Sequence, residues 1–456
     1  MDLSQNMLRI AKEIYANCEA YHDFLSENKI SRIEDFPSEF GSLPITNKDC
    51  YIEKYSIEKR LLRNKKISDY YMICTSSGST GSPTIWPRDY YSDKKAISSN
   101  LNVYKKLFHI QNKRTLVIVT FGLGAWTAGM LTSRLCWEMG RKYKLSVVTP
   151  GLDKEVAYRI LKELGKYYDQ TIITGYPPFI IDLVEFALEK GFDFKDINTK
   201  IHYTSAGLME NQREDLATLV SKDNSKDDVL GFYASSEAGI VGIETPHTVQ
   251  VLSYVNKNQS LCNDLFGKSV APTFVEYNPK VRYLEAYRGK ILLTVNQPVP
   301  LIRYNTKDRG GLIKGAEVIK ILKKYGYKMP HSILNKYFVY ILGREDSVRL
   351  LSNIYIEDIT YCLEKSCYSE KFTGKFKYGL DRSKLKNSLK LLVYTKHDCS
   401  LSKEQQVIFK KELNKNLSLV NPDFKMVGKG IEFDFNITYE EENDIVFKGG
   451  KFNYFL

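Results

Sequence analysis

Between residues 114 and 178 the chain alternates β-branched runs with an amphipathic segment, and this alternation constrains the fold more than any other feature. The runs are RTLVIVT (114–120), LSVVTPG (145–151) and QTIITGYPP (170–178), and DKEVAYRILKELGKYYD (153–169) separates the last two. RTLVIVT is a buried strand by its β-branched run, and the other two are short apolar runs ending in turn residues. Strand, helix and strand in succession predict an α/β fold with a doubly wound parallel sheet, whose ligands gather at the carboxyl ends of the strands. From about residue 270 the texture changes to short strands with polar turns (PTFVEY, GKILLTV, PLIRYNTKD), which predicts an antiparallel subdomain. Residues 347–456 carry strands and helices of their own and have the size of a small α+β domain.

Residues 1–69 read as helical, interrupted by FPSEFGSLPITNKD; Leu3, Met7, Ile10 and Ile14 fall on one helical face, unlike a secretory signal. The basic run EKRLLRNKK (58–66) reads as a solvated helix face. The net charge of +12 is spread along the chain and no nucleic-acid motif accompanies it, so a nucleic-acid partner is not expected. Eight cysteines lie without a C-x-x-C pair, which predicts free thiols in a reducing compartment and a cytoplasmic protein. No apolar run approaches the ~20 residues of a membrane span.

The segment CTSSGSTGSPT (74–84) concentrates hydroxyls and glycines directly after the short apolar run YYMI. Such a loop is either a slack linker or a cradle whose N–H and O–H donors converge on a phosphate. It lacks the Lys-Ser/Thr of a Walker loop, because Ser82 follows Gly81. By themselves the remaining short motifs have plain readings too: YASSEAG (233–239) as a helix-start capping cluster, Asp308 and GRED (343–346) as surface turns, and Lys451 as solvated surface.

Taken in order, however, these segments resemble the motifs of the adenylate-forming superfamily of acyl-CoA ligases and adenylation domains. The likeness is narrowest to its phenylacetate-CoA ligase-like and capsular-polysaccharide-protein-like branch. Ser76, Ser77, Gly78, Ser79, Thr80, Gly81, Ser82 and Pro83 follow that family's Ser/Gly loop, and LPITNK (43–48) is similar to the branch's entry segment. The resemblance implies that this loop folds over the triphosphate of ATP. YASSEAG then corresponds to Y-G-x-T-E: Tyr233 would stack on adenine, Ser236 reach the α-phosphate and Glu237 ligate Mg²⁺. Ser205, Ala206 and Gly207 resemble the small-residue segment lying against the adenine.

IRYNTKD (302–308) is similar to Y-R-T-G-D, with Asn305 for the usual Arg and Lys307 for the usual Gly; Asp308 would accept from both ribose hydroxyls. GRED matches the hinge motif between a large domain (1–342) and a small mobile domain (347–456), with Arg344 near the ribose or phosphate and Asp346 as pivot. Lys451, after two glycines near the end, stands where the family keeps its adenylation lysine. Trp126, Tyr176 and Phe179 follow strand ends where the family places its acyl pocket, and read equally as core aromatics.

The implied activity is ATP-dependent activation of a small carboxylic acid, aryl or other, to an acyl-adenylate with release of pyrophosphate, then transfer to coenzyme A. A carrier-protein thiol or an amine as acceptor, or a non-catalytic nucleotide-binding homologue, are the alternatives.

Overall fold

The structure is a computed structural model that describes residues 3–76, 83–205, 207–208, 210–269, 271–344, 348–349, 353–354, 356–381, 388–420 and 435–441. Its chain divides into two compact units, one of residues 1–253 and 273–341, the other of residues 254–272 and 342–456.

In the first unit α1 (Leu3–Asn17) and α2 (Glu19–Glu27) bury Met7, Ala11, Ile14, Tyr21 and Leu25 in one core cluster. The helix expected over residues 58–66 does not form. Only one turn, α3 (Ile57–Arg60), is present, and Arg60 is buried with its Nε donating to the Tyr55 carbonyl at 3.1 Å. A two-stranded antiparallel ribbon follows, β1 (Met72–Thr75) against β2 (Ile85–Arg88), with Thr75 opposite Ile85.

After α4 (Tyr90–Phe108) comes the expected alternation of strand and helix: β3 (Thr115–Thr120), α5 (Thr127–Gly140), β4 (Leu145–Val148), α6 (Lys154–Leu164), β5 (Gln170–Gly175), α7 (Pro177–Glu189), β6 (Thr199–Tyr203), α8 (Glu210–Val220) and β7 (Val229–Ser235). All pairings among β3, β4, β5, β6 and β7 are parallel. Every residue of β3 and of β5 is buried, and both are filled largely by β-branched Thr, Val and Ile with no solvent-facing alternate. Local signals set the helix starts: Asp153 Oδ1 accepts from the Val156 N–H at 2.9 Å ahead of α6, and Pro177 occupies the first turn of α7.

The chain then reverses into β8 (Gly239–Ile243), antiparallel to β7, and continues through α9 (Pro246–Lys257), α10 (Gln259–Phe266), β9 (Thr273–Tyr277), β10 (Tyr283–Tyr287), β11 (Lys290–Val295), β12 (Leu301–Lys314), α11 (Gly315–Lys324) and β13 (Tyr337–Arg344). The strand order is β10-β11-β12-β13-β9-β8-β7-β6-β5-β3-β4. The expected antiparallel strands are therefore one edge of the same eleven-stranded sheet, joined to the parallel strands through the β7–β8 hairpin. Gly242 permits the close approach of β8 to β9: a Cβ there would lie 2.6 Å from Val275 Cγ2 and 2.9 Å from the Glu276 carbonyl.

The second unit holds β14 (Val348–Arg349), β15 (Asn353–Ile354), α12 (Ile356–Glu364), β16 (Phe372–Asp381), β17 (Ser388–Thr395), α13 (Lys403–Val420) and β18 (Phe435–Glu441). β17 pairs antiparallel with β16 and parallel with β18. Phe376, Tyr378, Leu391 and Val393 from this sheet meet Ile359, Cys362, Phe409 and Leu413 of the helices, giving the α+β unit its own core. Among the described residues no helix is long and apolar enough to cross a membrane.

Candidate active site

The motif residues of the first unit converge on two turns and the base of one hairpin. YASSEAG is not the start of a helix: Tyr233 ends the regular part of β7, and Ser235 to Gly239 make the tight turn into β8. Ser235 Oγ accepts from the Ala238 N–H at 3.2 Å, and Gly239 sits at φ +70, a conformation glycine adopts without strain. The Glu237 carbonyl accepts from Gln297 Nε2, and the Ala238 carbonyl accepts from Arg282 Nε at 3.1 Å and NH2 at 2.6 Å. The backbone of the turn is thus held from behind. The Glu237 carboxylate and the Ser236 hydroxyl have no hydrogen-bond or ion-pair partner among the described residues.

The second turn lies inside β12. Lys307 has φ +65, so the residue standing where the family has glycine adopts the left-handed conformation that glycine favours. Asn305, in place of the usual Arg, explains how: its Oδ1 accepts from the Lys307 N–H at 2.9 Å, an Asx-type turn that stabilises the bend. Thr306 Oγ1 donates to the Ile291 carbonyl at 3.0 Å and accepts from the Asp308 N–H at 3.2 Å. The entry segment pins the same strand, because Asn305 N–H donates to the Thr46 carbonyl at 2.8 Å and Thr46 Oγ1 to the Ile302 carbonyl at 2.9 Å.

The two turns meet through one bond: the Tyr233 hydroxyl donates to Asp308 Oδ2 at 2.6 Å. Both side chains are half-buried. Burial and the Asp308 charge hold the Tyr233 phenol well above its ordinary range, so it stays protonated and remains a donor.

The Ser/Gly segment links β1 to β2 in the sequence, and the described residues at its two ends, Ser76 and Thr84, face each other. Its base is latched twice, by Ser76 N–H to the Thr84 carbonyl and Thr84 N–H to Ser76 Oγ, both 2.9 Å. The ribbon is docked onto the segment before α5: Thr75 N–H donates to the Ala125 carbonyl at 2.7 Å, and Thr127 Oγ1 to the Thr75 carbonyl at 2.9 Å. Trp126 is thereby brought beside the ribbon, half-buried. It follows β3 and Tyr176 follows β5, the two strands between which the order reverses. Tyr176 and Phe179 are each only 2% exposed.

Ser205, at φ +77, and Gly207 are exposed just past β6. Arg344 ends β13, preceded by Gly343 at φ +120, so half of GRED is strand. Ser77, Gly78, Ser79, Thr80, Gly81, Ala206, Asp346 and Lys451 lie outside the described residues.

Sequence reasoning missed Arg88, Asp93, Arg282 and Gln297. Arg88 and Asp93 form a buried ion pair (NH2 to Oδ1 2.6 Å) beside the ribbon, and the Tyr71 hydroxyl donates to Asp93 Oδ2 at 2.5 Å. No motif marks any of the four; the only sequence signal is the nearness of Arg88 and Asp93 to the Ser/Gly loop.

No family model and no curated protein matches this chain. Solved structures do. A 2-hydroxyisobutyryl-CoA ligase in the postadenylation state, in complex with 2-HIB-AMP, superposes with a TM-score of 0.65 at 13% identity, covering 100% of this chain and 88% of that one. The same ligase with 2-HIB-AMP and CoA in the thioesterification state gives 0.52 at 13% identity and the same coverage. The AtGH3.15 acyl acid amido synthetase in complex with 2,4-DB gives 0.57 at 12% identity, covering 95% of this chain and 86% of that one. The chain has the fold of the adenylate-forming ligases.

Proposed function

We propose that this protein activates a carboxylic acid with ATP and passes the acyl group to a thiol, with coenzyme A as the acceptor. The observation that carries this reading is the Tyr233–Asp308 contact, which sets an aromatic face and a carboxylate side by side, as one nucleoside requires. In the first step a carboxylate oxygen of the acid bonds to the α-phosphorus of ATP while the bond from that phosphorus to the bridging oxygen breaks, releasing pyrophosphate and leaving an acyl-adenylate. In the second the thiolate attacks the acyl carbon and AMP departs.

Tyr233 would stack on the base and Asp308 accept from the ribose hydroxyls, with Ser205, Ala206 and Gly207 against the adenine. Ser76 to Gly81 would enclose the β- and γ-phosphates. Ser236 would donate to the α-phosphate, where Lys451 would stabilise the charge of the attack. Among the described residues no three acidic, His or Cys side chains form a metal cluster. That suits Mg²⁺, which takes one or two carboxylates and completes its shell with phosphate oxygens and water; the partnerless Glu237 is the fitting ligand. When bound, the ion would neutralise the leaving pyrophosphate.

Trp126, Tyr176 and Phe179 would shape the acid's pocket, and Arg344 and the pivot Asp346 would serve the small domain. The solved ligase with CoA supports a thiol acceptor, while the solved amido synthetase keeps an amine in view as the second reading. All eight cysteines are free, which suits the reducing, cytoplasmic setting expected from their spacing.

Pyrophosphate release from ATP, measured across aryl, fatty and amino acids with and without coenzyme A, tests the reading. We expect release with one acid class and thioester only when coenzyme A is present. Lys451→Ala should slow adenylate formation by ~10²-fold or more while sparing acyl transfer from supplied adenylate. Absence of both pyrophosphate release and ATP binding would refute the reading.

A further inference from the structure

We propose that Arg282 and Gln297 are positioning residues that aim the Glu237 carboxylate at the cation accompanying the nucleotide's phosphates. The inference rests on the ATP reading above and adds to it how the acidic turn is held.

Both peptide carbonyls that follow the Glu237 Cα are engaged: that of Glu237 by Gln297 Nε2, that of Ala238 by two N–H groups of Arg282, at 3.1 and 2.6 Å. Gln297 holds the peptide plane on the carboxyl side of the Glu237 Cα and Arg282 the plane after it, so the turn that carries the Glu237 side chain is restrained from its carboxyl side. The carboxylate itself is left without a partner among the described residues. Backbone restraint combined with a free side chain is the arrangement expected of a ligand awaiting its ion.

The identity of the clamp is the second argument. A third bond of Arg282, from NH1 to the Val281 carbonyl at 3.0 Å, again ends on a neutral acceptor, and no carboxylate lies within ion-pair distance of this guanidinium among the described residues. A half-buried cation without a counter-ion is costly, and holding a carbonyl does not by itself require a charge. Asp93, whose two oxygens bond Arg88 and Tyr71, acts on Arg282 only at longer range, and the charge of Arg88 opposes it.

Gln297, 8% exposed, also connects the turn to the Ser/Gly ribbon, because Arg88 at the end of β2 donates to its Oε1 over a long 3.5 Å. The Gln297 amide accepts from Arg88 through Oε1 and donates to the Glu237 carbonyl through Nε2. The line Tyr71–Asp93–Arg88–Gln297–Glu237 therefore runs from the phosphate loop's stem to the cation's ligand.

The test is a calorimetric titration of the full-length chain with α,β-methylene ATP, with and without Mg²⁺, alongside the melting temperature. The parent protein should bind the analogue more tightly with Mg²⁺. Arg282→Met and Gln297→Leu should each reduce that Mg²⁺-dependent gain by about fivefold, the equivalent of one hydrogen bond, while Mg²⁺-free affinity holds within about twofold. Arg282→Lys should restore part of the gain. An Mg²⁺ gain equal to the parent's in both variants overturns the proposal, as does loss of Mg²⁺-free and Mg²⁺-bound affinity by one common factor, whatever happens to the melting temperature. Should Arg282→Met not fold, Arg282→Lys and Gln297→Leu decide by the same criteria. A parent chain that binds no analogue under either condition overturns the ATP reading itself and this inference with it.

Discussion

The Tyr233–Asp308 bond gives the sharpest prediction, because it joins two residues assigned to different parts of one nucleoside. At 2.6 Å it is a short, charge-assisted O–H···O⁻ bond. Such bonds contribute about 1.5–3 kcal/mol, and both partners are half-buried, so water can partly replace the phenol and the low end applies. Tyr233→Phe keeps the ring face and loses the donor. We expect about 1.5 kcal/mol of lost stability and an ATP affinity reduced by less than about tenfold, since only the orientation of the carboxylate is relaxed. Tyr233→Ala removes the stacking face as well and should cost about 1–3 kcal/mol of binding.

Asp308→Ala should cost a similar ~1–3 kcal/mol through the ribose. The decisive assay is calorimetric titration of ATP against 2′,3′-dideoxy-ATP. Losing the sugar hydroxyls should weaken binding to the parent protein and to Tyr233→Phe, yet leave Asp308→Ala indifferent. An equal dideoxy penalty in the parent and in Asp308→Ala would refute the assignment of Asp308 to the ribose.

Three further outcomes concern the scaffold. Arg213, fully buried, bridges Glu210 (2.8 Å) and Glu244 (2.8 Å) and donates to the Tyr203 hydroxyl at 3.0 Å; Arg213→Met strands two carboxylates and should cost about 3–5 kcal/mol in denaturant unfolding. His202, buried against Tyr104 and Phe232, has its pKa pushed down to about 3 by burial. A depressed folded pKa stabilises above the unfolded value near 6.5, so this contribution is lost as pH falls from about 6.5 toward 3, at about 1.4 kcal/mol per pH unit. His202→Gln should flatten the acid limb of the stability curve by one proton; an unchanged slope would show that His202 does not titrate there. At Gly310 a Cβ would stand 1.9 Å from the Tyr340 carbonyl, so Gly310→Ala should separate β12 from β13 and cost about 3 kcal/mol, read by thermal unfolding and by weakened ATP binding at the neighbouring Asp308 turn.

Much of the molecule is legible in the residues themselves. The β-branched runs of β3 and β5 announce buried strands, and Asp153 and Pro177 mark helix starts, because strand propensity and capping are short-range demands written locally. The basic run 58–66 misleads for the opposite reason: its charges suggest a solvated helix, whereas Arg60 is drawn inward by the Tyr55 carbonyl, a contact that periodicity does not encode. Asn305 and Lys307 break the motif by letter and keep its geometry, which becomes visible only when the Asn305 side chain is seen closing the turn.

The sequence by itself determined the alternating α/β scaffold, the small α+β unit and the identity of the groups suited to a nucleotide. Only the tertiary structure decided that parallel and antiparallel strands share one sheet, that Tyr233 touches Asp308 although three strands lie between β7 and β12 in that sheet, and that Arg282 and Gln297 hold the acidic turn. The physical reason is range. Propensity, caps and turn chemistry act over a few residues, whereas a hydrogen bond across 75 residues exists only after the whole sheet has assembled and brought its partners together.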